Sequence, residues 1–327
     1  MHILIIGAAG MVGRKLAGRL ARDGALGEAP VEALTLVDVV PPETPDGFAG
    51  RTVLETGDLS APGTAQKLIE GRPDVIFHLA AIVSGEAELD FDKGYRINLD
   101  GTRALFDAVR AAHEADGYFP RIVFTSSIAV VGAPLPFPIP DEFHTTPLTS
   151  YGTQKAICEL LLSDYTRRGF FDGIGIRLPT ICIRPGRPNA AASGFFSNIL
   201  REPLVGQEAV LPVSEDVRHW HTSPRSAVGF LVHAATMDLS QVGPRRNLSM
   251  PGLSATVGEQ IEALRRVAGD GAVKLIRREP DEMIARMCAG WAPGFEAKRA
   301  RELGFVAETS FDEIIRAHID DELGGRL

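Results

Sequence analysis

The stretch His2-Ile-Leu-Ile-Ile-Gly7-Ala-Ala-Gly10-Met-Val-Gly13 decides the fold of this chain. It begins with a short apolar run, which is typical of a buried parallel strand. Glycines follow at intervals of three residues, and a helical pattern then runs from Arg14 to about Arg22. Glycine lets the backbone approach a pyrophosphate, and the start of a helix favours the phosphate charge. This order predicts a dinucleotide-binding unit, although the turn could instead serve only packing. The cofactor contacts that it predicts are Gly7, Gly10, Met11, Val12 and Gly13.

A second apolar strand, Leu34-Thr-Leu-Val-Asp38, ends in a carboxylate. Asp38 could accept hydrogen bonds from both hydroxyls of an adenosine ribose, and its charge would repel a 2′-phosphate. The sequence therefore predicts NAD rather than NADP as the cofactor. In the alternative interpretation, Asp38 only begins a turn before Pro41 and Pro42.

Strands and helices alternate through the first half of the chain. Further strands are expected at 51–55, 74–81, 121–125 and 173–177, and helices at 62–70, 95–114 and 151–168. This rhythm predicts an α/β fold with a doubly wound parallel sheet. We expect an NAD-binding domain over 1–178 and a smaller, mixed substrate-binding lobe over 179–327. Parts of 216–238 are expected to pack back on the first domain.

The second half has a different texture. Residues 184–212 are rich in proline, glycine and asparagine and show no regular alternation. Two capping boxes follow, Thr256 with Glu259 and Ser310 with Glu313, and each predicts the start of a helix. A short helix is expected over 297–303, ended by Gly304.

Composition excludes several classes of protein. The chain has 327 residues, 45% hydrophobic residues and a formal net charge of −8. No apolar run approaches the length of a membrane span, and no basic cluster suggests a nucleic-acid surface. We see no export signal and no disulfide framework in the three cysteines, so we expect a cytoplasmic protein. No metal site is expected, because His219 and His221 lack a third ligand.

The run Tyr151-Gly-Thr-Gln-Lys155 indicates acid–base chemistry. Side chains four residues apart on a helix share a face. A phenol with a pKa of about 10 is a poor base at neutral pH, but an ammonium beside it stabilises the phenolate. Tyr151 is therefore the predicted general base, and Lys155 the group that lowers its pKa.

Two adjacent serines, Ser126 and Ser127, follow the strand expected at 121–125. Ligands bind beyond the carboxyl ends of strands in open parallel sheets, so a hydroxyl there can hold a substrate oxygen for Tyr151. Neighbouring strand residues face opposite ways, and only one serine can point to the site. We favour Ser127, while Ser126 would satisfy local backbone.

Together these residues resemble the extended short-chain dehydrogenase/reductase superfamily, which includes nucleotide-sugar epimerases and dehydratases. The resemblance covers essentially the whole chain. Its motifs are Gly7-x-x-Gly10-x-x-Gly13, Asp38, Asp58-Leu59, His78-Leu79-Ala80-Ala81, Asn98-x-x-Gly101-Thr102, Ser126-Ser127, Tyr151-x-x-x-Lys155, Arg218-His219-Trp220-His221 and Lys298 with Glu302-Leu303-Gly304-Phe305.

The resemblance implies further site residues. Asp58 and Leu59 would flank the adenine, Ala80 would lie against the cofactor, and Asn98 would help to hold it. Leu178 or Pro179 would border the nicotinamide, and Tyr151 and Lys155 would also contact the cofactor. Ser84 and Thr180 occupy positions where family members touch substrate, and Ser127 and Tyr151 would hold the reacting hydroxyl.

Departures from the usual pattern narrow the substrate. Ala8-Ala9 replaces the common Thr-Gly, Val131 replaces a frequent tyrosine, and residues 177–186 replace the asparagine-bearing run of sugar-nucleotide enzymes. Within the superfamily, the chain is similar to the NAD-dependent D-erythronate dehydrogenases, which implies oxidation of a four-carbon sugar acid at C2. Its carboxylate needs a donor, for which a guanidinium fork is preferred. Arg184 and Arg218 are the candidates, and each could instead be only solvated or structural.

Two other functions stay open. A nucleotide-sugar epimerase or dehydratase would use the same triad, which consists of Ser127, Tyr151 and Lys155. A non-catalytic dinucleotide-sensing protein would need only the cofactor site. Relatives often pair through the helices expected here at 95–114 and 151–168, so a homodimer is predicted.

Overall fold

The computed structural model describes residues 1–186 and 192–326. Residues 187–191, which belong to the stretch without expected alternation, lie outside the described residues.

The first half of the chain alternates between strands and helices as expected. The strands are β1 (His2–Ile6), β2 (Ala25–Leu26), β3 (Ala29–Pro30), β4 (Ala33–Asp38), β5 (Arg51–Thr56), β6 (Val75–His78), β7 (Arg121–Ser127) and β8 (Asp172–Leu178). The helices are α1 (Met11–Asp23), α2 (Thr64–Glu70), α3 (Ser84–Leu89), α4 (Phe91–Gly94), α5 (Gly101–Asp116) and α6 (Ser150–Arg167). A π-helical turn, Tyr95–Asp100, leads into α5.

The second half adds short strands and further helices. The strands are β9 (Thr180–Ile181), β10 (Ala209–Leu211), β11 (Arg218–Thr222), β12 (Asn247–Ser249), β13 (Leu253–Thr256) and β14 (Ile276–Arg278). The helices are α7 (Phe195–Leu204), α8 (Pro224–Thr236), α9 (Val257–Val273), α10 (Glu282–Cys288), α11 (Lys298–Glu302) and α12 (Phe311–Glu322).

A seven-stranded sheet carries the fold, in the order β12-β8-β7-β6-β1-β4-β5. The pairs β5–β4, β4–β1, β1–β6 and β6–β7 are parallel. The order reverses direction at β1, since β4 lies on one side of it and β6 on the other. The predicted doubly wound α/β fold is thus confirmed.

The chain divides into two compact units. The first comprises Met1–Val130, Thr149–Arg177 and Val228–Leu248, and the second comprises Val131–Leu148, Leu178–Ala227 and Ser249–Leu327. We expected one boundary at residue 178 with parts of 216–238 returning to the first domain. The division observed also takes residues 131–148 from the first half of the chain into the second unit.

Each unit has its own apolar core. In the first, side chains of the strands, such as Leu4 and Phe124, pack against α5 and α6 through Phe106 and Leu162. In the second, α7, α9 and α12 surround a core that includes Phe196, Leu264 and Ile315. Helix α7 falls within the stretch in which the sequence shows no regular alternation. Its apolar positions bury one face, and this burial outweighs the unfavourable Pro203 near its end.

Helix ends in the second unit follow the capping prediction closely. Thr256 and Glu259 form the full reciprocal box that begins α9. Ser310 caps α12, but the Glu313 carboxylate accepts from both the backbone N–H and the hydroxyl of Thr309, one residue further back than expected. Among the residues that the structure describes, we find no helix with the length and apolar character needed to cross a bilayer.

Two glycines of α1 give a matched pair for testing the glycine turn. A Cβ at Gly13 would lie 2.2 Å from the carbonyl oxygen of Gly7, whereas one at Gly18 would meet nothing closer than an Arg22 guanidinium nitrogen at 3.6 Å. In urea unfolding, Gly13→Ala should lower the free energy of unfolding by about 1–3 kcal/mol through overpacking. Gly18→Ala should raise it by about 0.5–1 kcal/mol. A Gly13→Ala variant as stable as the unchanged protein would contradict this account of the turn.

Candidate functional site

The glycine-rich turn after β1 rests on the end of β4. The backbone N–H groups of Gly7 and Ala8 donate to the carbonyl oxygen of Val37, at 2.8 and 3.0 Å. Gly7 has a φ of 93°, and a Cβ there would lie 2.6 Å from the backbone nitrogen of Ala80. The turn and the segment after β6 therefore touch backbone to backbone, which only glycine allows.

The start of α1 has the features that a pyrophosphate needs. Gly10 is the N-cap and has no side chain to accept from the first turn of the helix. Met11, Val12 and Gly13 form that first turn. Uncapped N–H groups at a helix start attract anions, and a glycine cap leaves room for one. The residues present thus fit a dinucleotide.

Asp38 ends β4 beside this turn. One carboxylate oxygen accepts from the backbone N–H of Ala9 at 2.9 Å, and the other accepts from that of Val39 at 2.7 Å. Each oxygen keeps acceptor capacity, because a carboxylate offers about four lone-pair sites. Asp38 therefore orders the turn, and it can still accept from ribose hydroxyls.

Asp58 and Leu59 follow β5. The Asp58 carboxylate accepts from the backbone N–H and hydroxyl of Ser60 and from the guanidinium of Arg96. Burial raises the pKa of this carboxyl, but the hydrogen bonds from Ser60 and Arg96 outweigh that effect and hold it below its usual value. Leu59 is buried in the core of the first unit.

Asn98 lies buried in the π-helical turn and shapes the segment that contains Ala80. Its side-chain oxygen accepts from the backbone N–H of Ile82 at 2.9 Å, and its amide nitrogen donates to the Gln154 side chain at 2.8 Å. The structure thus shows Asn98 holding the backbone of Ile82, two residues after Ala80, which is an indirect way to support a cofactor. Ser84 is exposed and begins α3 just beyond this segment.

Helix α6 positions Tyr151 and Lys155. Thr149 caps it by accepting from the backbone N–H of Gly152, so Tyr151 lies in its first turn. One turn later, Lys155 is 2% exposed, and its ammonium donates to the carbonyl oxygen of Thr125 at 2.8 Å. The same nitrogen lies 5.8 Å from the centroid of the Tyr151 ring and 4.7 Å from that of Phe124.

Burial governs the ionisation of Lys155. It lowers the pKa of this group to about 8, although the neighbouring Cys158 and Glu159 act in the opposite direction. A cation next to a phenol favours the phenolate. The geometry therefore supports the acid–base pair that the sequence predicts.

The structure gives the two serines different environments. The Ser126 hydroxyl is buried and donates to the Glu159 carboxylate at 2.6 Å. Ser127 is half-buried, and its oxygen accepts from the backbone N–H of Ala129 at 3.1 Å. That contact occupies a lone pair of Ser127 and leaves its hydroxyl proton able to donate to a ligand. These contacts favour Ser127 as the serine of the triad.

The predicted substrate residues beyond β8 lie in the second unit. The Thr180 hydroxyl is 2.7 Å from Nε2 of His219, whose pKa is lowered to about 4 by burial. The Arg184 guanidinium donates to the carbonyl oxygen of Ile181 at 3.3 Å. Leu178, which ends β8, and Pro179 precede them directly in the chain.

Arg218, the other candidate for binding an anion, already faces a carboxylate. Its guanidinium donates to the carbonyl oxygen of Ser254 at 3.1 Å and lies 3.2 Å from Glu259. A substrate carboxylate would have to share or replace that contact. This pairing was not expected from local sequence patterns, because Glu259 lies 41 residues further along the chain.

The sequence predicted no contacts near the triad for three further side chains, those of Gln154, Glu159 and Arg177. Gln154 is fully buried beside Lys155 and contacts Asn98. Glu159 lies one turn after Lys155 and binds Arg177. The spacing of residues 151, 155 and 159 on a single helix face was the available signal for Glu159. Within residues 1–186 and 192–326, no group of three or more histidine, cysteine or acidic side chains is arranged to hold a metal ion.

Comparison with known proteins gives the family. The model of the NAD dependent epimerase/dehydratase family matches residues 3–224. The chain belongs to this family. Its predicted place in the extended short-chain dehydrogenase/reductase superfamily is thereby confirmed, and so are NAD as the cofactor and an NAD-dependent enzyme as the class.

Two relatives and one solved structure are similar to this chain over nearly their whole length. A D-erythronate dehydrogenase of Cupriavidus necator is 46% identical over 325 residues, covering 98% of each chain. One of Haemophilus influenzae is 40% identical over 323 residues, covering 99% of this chain and 100% of the relative. A crystal structure described as the nucleoside-diphosphate-sugar epimerase from Agrobacterium tumefaciens is 81% identical, with a TM-score of 0.98, and covers 99% of this chain and 95% of that chain.

Asp38 offers a test of cofactor choice in this family member. Asp38→Ala should weaken NAD binding, because the ribose loses an acceptor and the turn loses its contact at Ala9. The gap between NAD and NADP should narrow, since the charge that repels a 2′-phosphate is gone. Titration of both dinucleotides against the protein measures this, with the exposed Asp46→Ala as control. Equal losses of affinity for NAD and NADP would show that Asp38 acts only on the turn.

Proposed function

We propose that this chain is an NAD-dependent dehydrogenase that oxidises D-erythronate at C2 to the 2-oxo acid. The observation that carries the proposal is the similarity to two D-erythronate dehydrogenases over nearly the full length of all three chains. The side chains of the first unit support it, because a buried cation lies beside a tyrosine on the helix that follows the strand bearing Ser127.

In the proposed mechanism, Tyr151 is the general base. The Lys155 ammonium favours its phenolate form, which removes the proton from the C2 hydroxyl. Ser127 donates a hydrogen bond to the same substrate oxygen and holds it in place. The bound NAD would supply the acceptor for the hydride that leaves C2. Gly7, Gly10 and Asp38 hold the dinucleotide, and Lys155 can also bind its ribose.

The substrate is proposed to be a small anion. Its carboxylate would be bound by Arg184 or Arg218, with Ser84 and Thr180 as further contacts. A guanidinium fits a carboxylate with two parallel hydrogen bonds. For Arg218, the Glu259 contact would have to open, so this residue would bind substrate only at the expense of that ion pair.

A nucleotide-sugar epimerase is the second candidate, favoured by the description of the Agrobacterium tumefaciens structure. It would use the same Ser127, Tyr151 and Lys155, but it would return the hydride to the opposite face of the sugar. The residues 177–186 favour the dehydrogenase, because they lack the asparagine-bearing run of sugar-nucleotide enzymes. A non-catalytic dinucleotide-sensing protein is disfavoured by the complete triad.

We also propose a cytoplasmic homodimer. Pairing would use the helices at residues 95–114 and 151–168, here the π-helical turn with α5, and α6. Both belong to the first unit, which also contains the proposed triad.

NADH formation across a substrate panel tests the proposed function. The panel contains D-erythronate, other sugar acids, polyols, L-threonine and UDP-sugars. D-erythronate should give steady net NADH, because a dehydrogenase releases the reduced cofactor. Silence on every acid, together with conversion of a UDP-sugar to its epimer without net NADH, would replace the proposal with the epimerase.

Tyr151→Phe tests the proposed base. Removing one oxygen should lower kcat by about 10²–10⁴-fold, the range for loss of a general base, while the Kd for NAD stays the same. Tyr165→Phe on the same helix is the control, since the Tyr165 hydroxyl only donates to Asp107. Turnover by Tyr151→Phe at the rate of the control would exclude the phenol as base.

A further inference from the structure

A buried carboxylate joins the elements that carry the proposed triad. Glu159 is 3% exposed and accepts from the Ser126 hydroxyl at 2.6 Å. The same carboxylate binds the Arg177 guanidinium in a two-pronged contact, Nε to Oε1 at 2.8 Å and Nη2 to Oε2 at 2.7 Å. A single side chain thus satisfies a serine of β7 and an arginine of β8.

Each of the three partners lies next to a residue of the proposed site. Ser126 is adjacent to Ser127 on β7, and Arg177 immediately precedes Leu178 and Pro179. Glu159 is four residues after Lys155 and eight after Tyr151, on the same face of α6. None of the three joined side chains was assigned a role in the proposed reaction.

The backbone of Glu159 is held as well. Its carbonyl oxygen accepts from the Asn247 amide at 3.1 Å and from the Ser163 hydroxyl at 2.9 Å. Asn247 begins β12, the neighbour of β8 in the sheet. Side chain and backbone therefore fix this turn of α6 to β7, β8 and β12.

A contact that fixes one point on the surface of α6 to β7 and β8 would restrain rotation of the helix about its axis. Tyr151 lies about 12 Å along the helix from Glu159, at 1.5 Å per residue. A small rotation at the anchor would swing both Lys155 and Tyr151 relative to Ser127. Catalysis depends on such placement, because a displacement of about 1 Å can lower a rate by about a hundredfold.

We propose that Glu159 is a positioning residue, which sets Tyr151 and Lys155 against Ser127 by locking α6 to the carboxyl ends of β7 and β8 through Ser126 and Arg177. This inference rests on the proposed function, since it assumes that Ser127, Tyr151 and Lys155 do chemistry. Glu159 itself is not proposed to touch substrate or cofactor.

The first unit provides a matched control at the opposite ends of the same strands. Asp172 begins β8 and binds Arg121, which begins β7, at 2.9 Å. It also binds Arg246 at 3.3 Å. Asp172 therefore joins Arg121 at the start of β7 and Arg246, which immediately precedes β12, as Glu159 joins a serine and an arginine, but at the amino ends of β7 and β8.

The test compares Glu159→Gln, Ser126→Ala and Asp172→Asn. Glu159→Gln keeps the shape of the side chain and removes the negative charge that pairs with Arg177. Ser126→Ala removes one hydrogen bond to Glu159 and leaves the ion pair between Glu159 and Arg177 intact. We expect Glu159→Gln to lower kcat by about 10- to 100-fold and Ser126→Ala to lower it less, with the Kd for NAD unchanged in both. Asp172→Asn should lose thermal stability without a matching loss of kcat.

Hydrogen exchange gives a readout that needs no substrate. Glu159→Gln should speed exchange at residues 126–130, 150–155 and 176–178, and Asp172→Asn should speed it at 121–123 and 172–174. The proposal is overturned if Glu159→Gln leaves exchange at the carboxyl ends unchanged, or if Asp172→Asn loses as much kcat as Glu159→Gln. If the unchanged protein does not reduce NAD with any alcohol of the panel, the proposed function fails, and the exchange pattern still decides whether Glu159 locks these elements.

Discussion

The burial of one ammonium group is the constraint on which the first unit depends. Lys155 gives up almost all contact with water, and its compensation is a hydrogen bond to the Thr125 carbonyl and the face of Phe124. Both partners belong to β7, so the contacts that offset the desolvation of Lys155 also hold α6 against the strand that ends in Ser127. The pKa of Lys155 is lowered to about 8, because burial disfavours the charged form.

The contact with Thr125 places the Lys155 ammonium near the carboxyl end of β7. The glycine turn follows β1 and residues 79–80 follow β6, while Asp38 and Ser127 are the last residues of β4 and β7. Parallel strands bring these carboxyl ends to one edge of the sheet. Helix α6 carries Tyr151, Lys155 and Glu159, and the Glu159 carboxylate accepts hydrogen bonds from residues of β7 and β8. The sheet thus brings together, from short and separate pieces of sequence, the groups that we propose to bind the cofactor and to carry out acid–base chemistry.

The sequence predicted structure best where a single residue type is required by its immediate surroundings. Gly13 is required because a Cβ would strike the Gly7 carbonyl, and the capping box at Thr256 and Glu259 marks the start of α9. The main strands of the first unit lie near the residues expected from apolar runs and turns, whereas their order in the sheet was not predicted. The elements of the second unit were predicted less well. Helix α7, for example, is stabilised by burial of its apolar face and contains a proline, which disfavours a helix.

Contacts between residues distant in sequence were beyond prediction. The alternation of a strand cannot say which of Ser126 and Ser127 turns inward; the Glu159 carboxylate, 33 residues after Ser126, decides it. Arg218 was expected to await an anion, but its position beside Glu259 depends on the pairing of β11 with β13. Such outcomes depend on tertiary packing, which local pattern does not encode.

A crystal structure of the ternary complex with NAD and D-erythronate would test the account most directly, through the distance from the Tyr151 phenol oxygen to the C2 hydroxyl. The account predicts about 2.6–3.2 Å, with the Lys155 ammonium on the same side of the ring. A phenol oxygen beyond reach of that hydroxyl, even through one water, would contradict it.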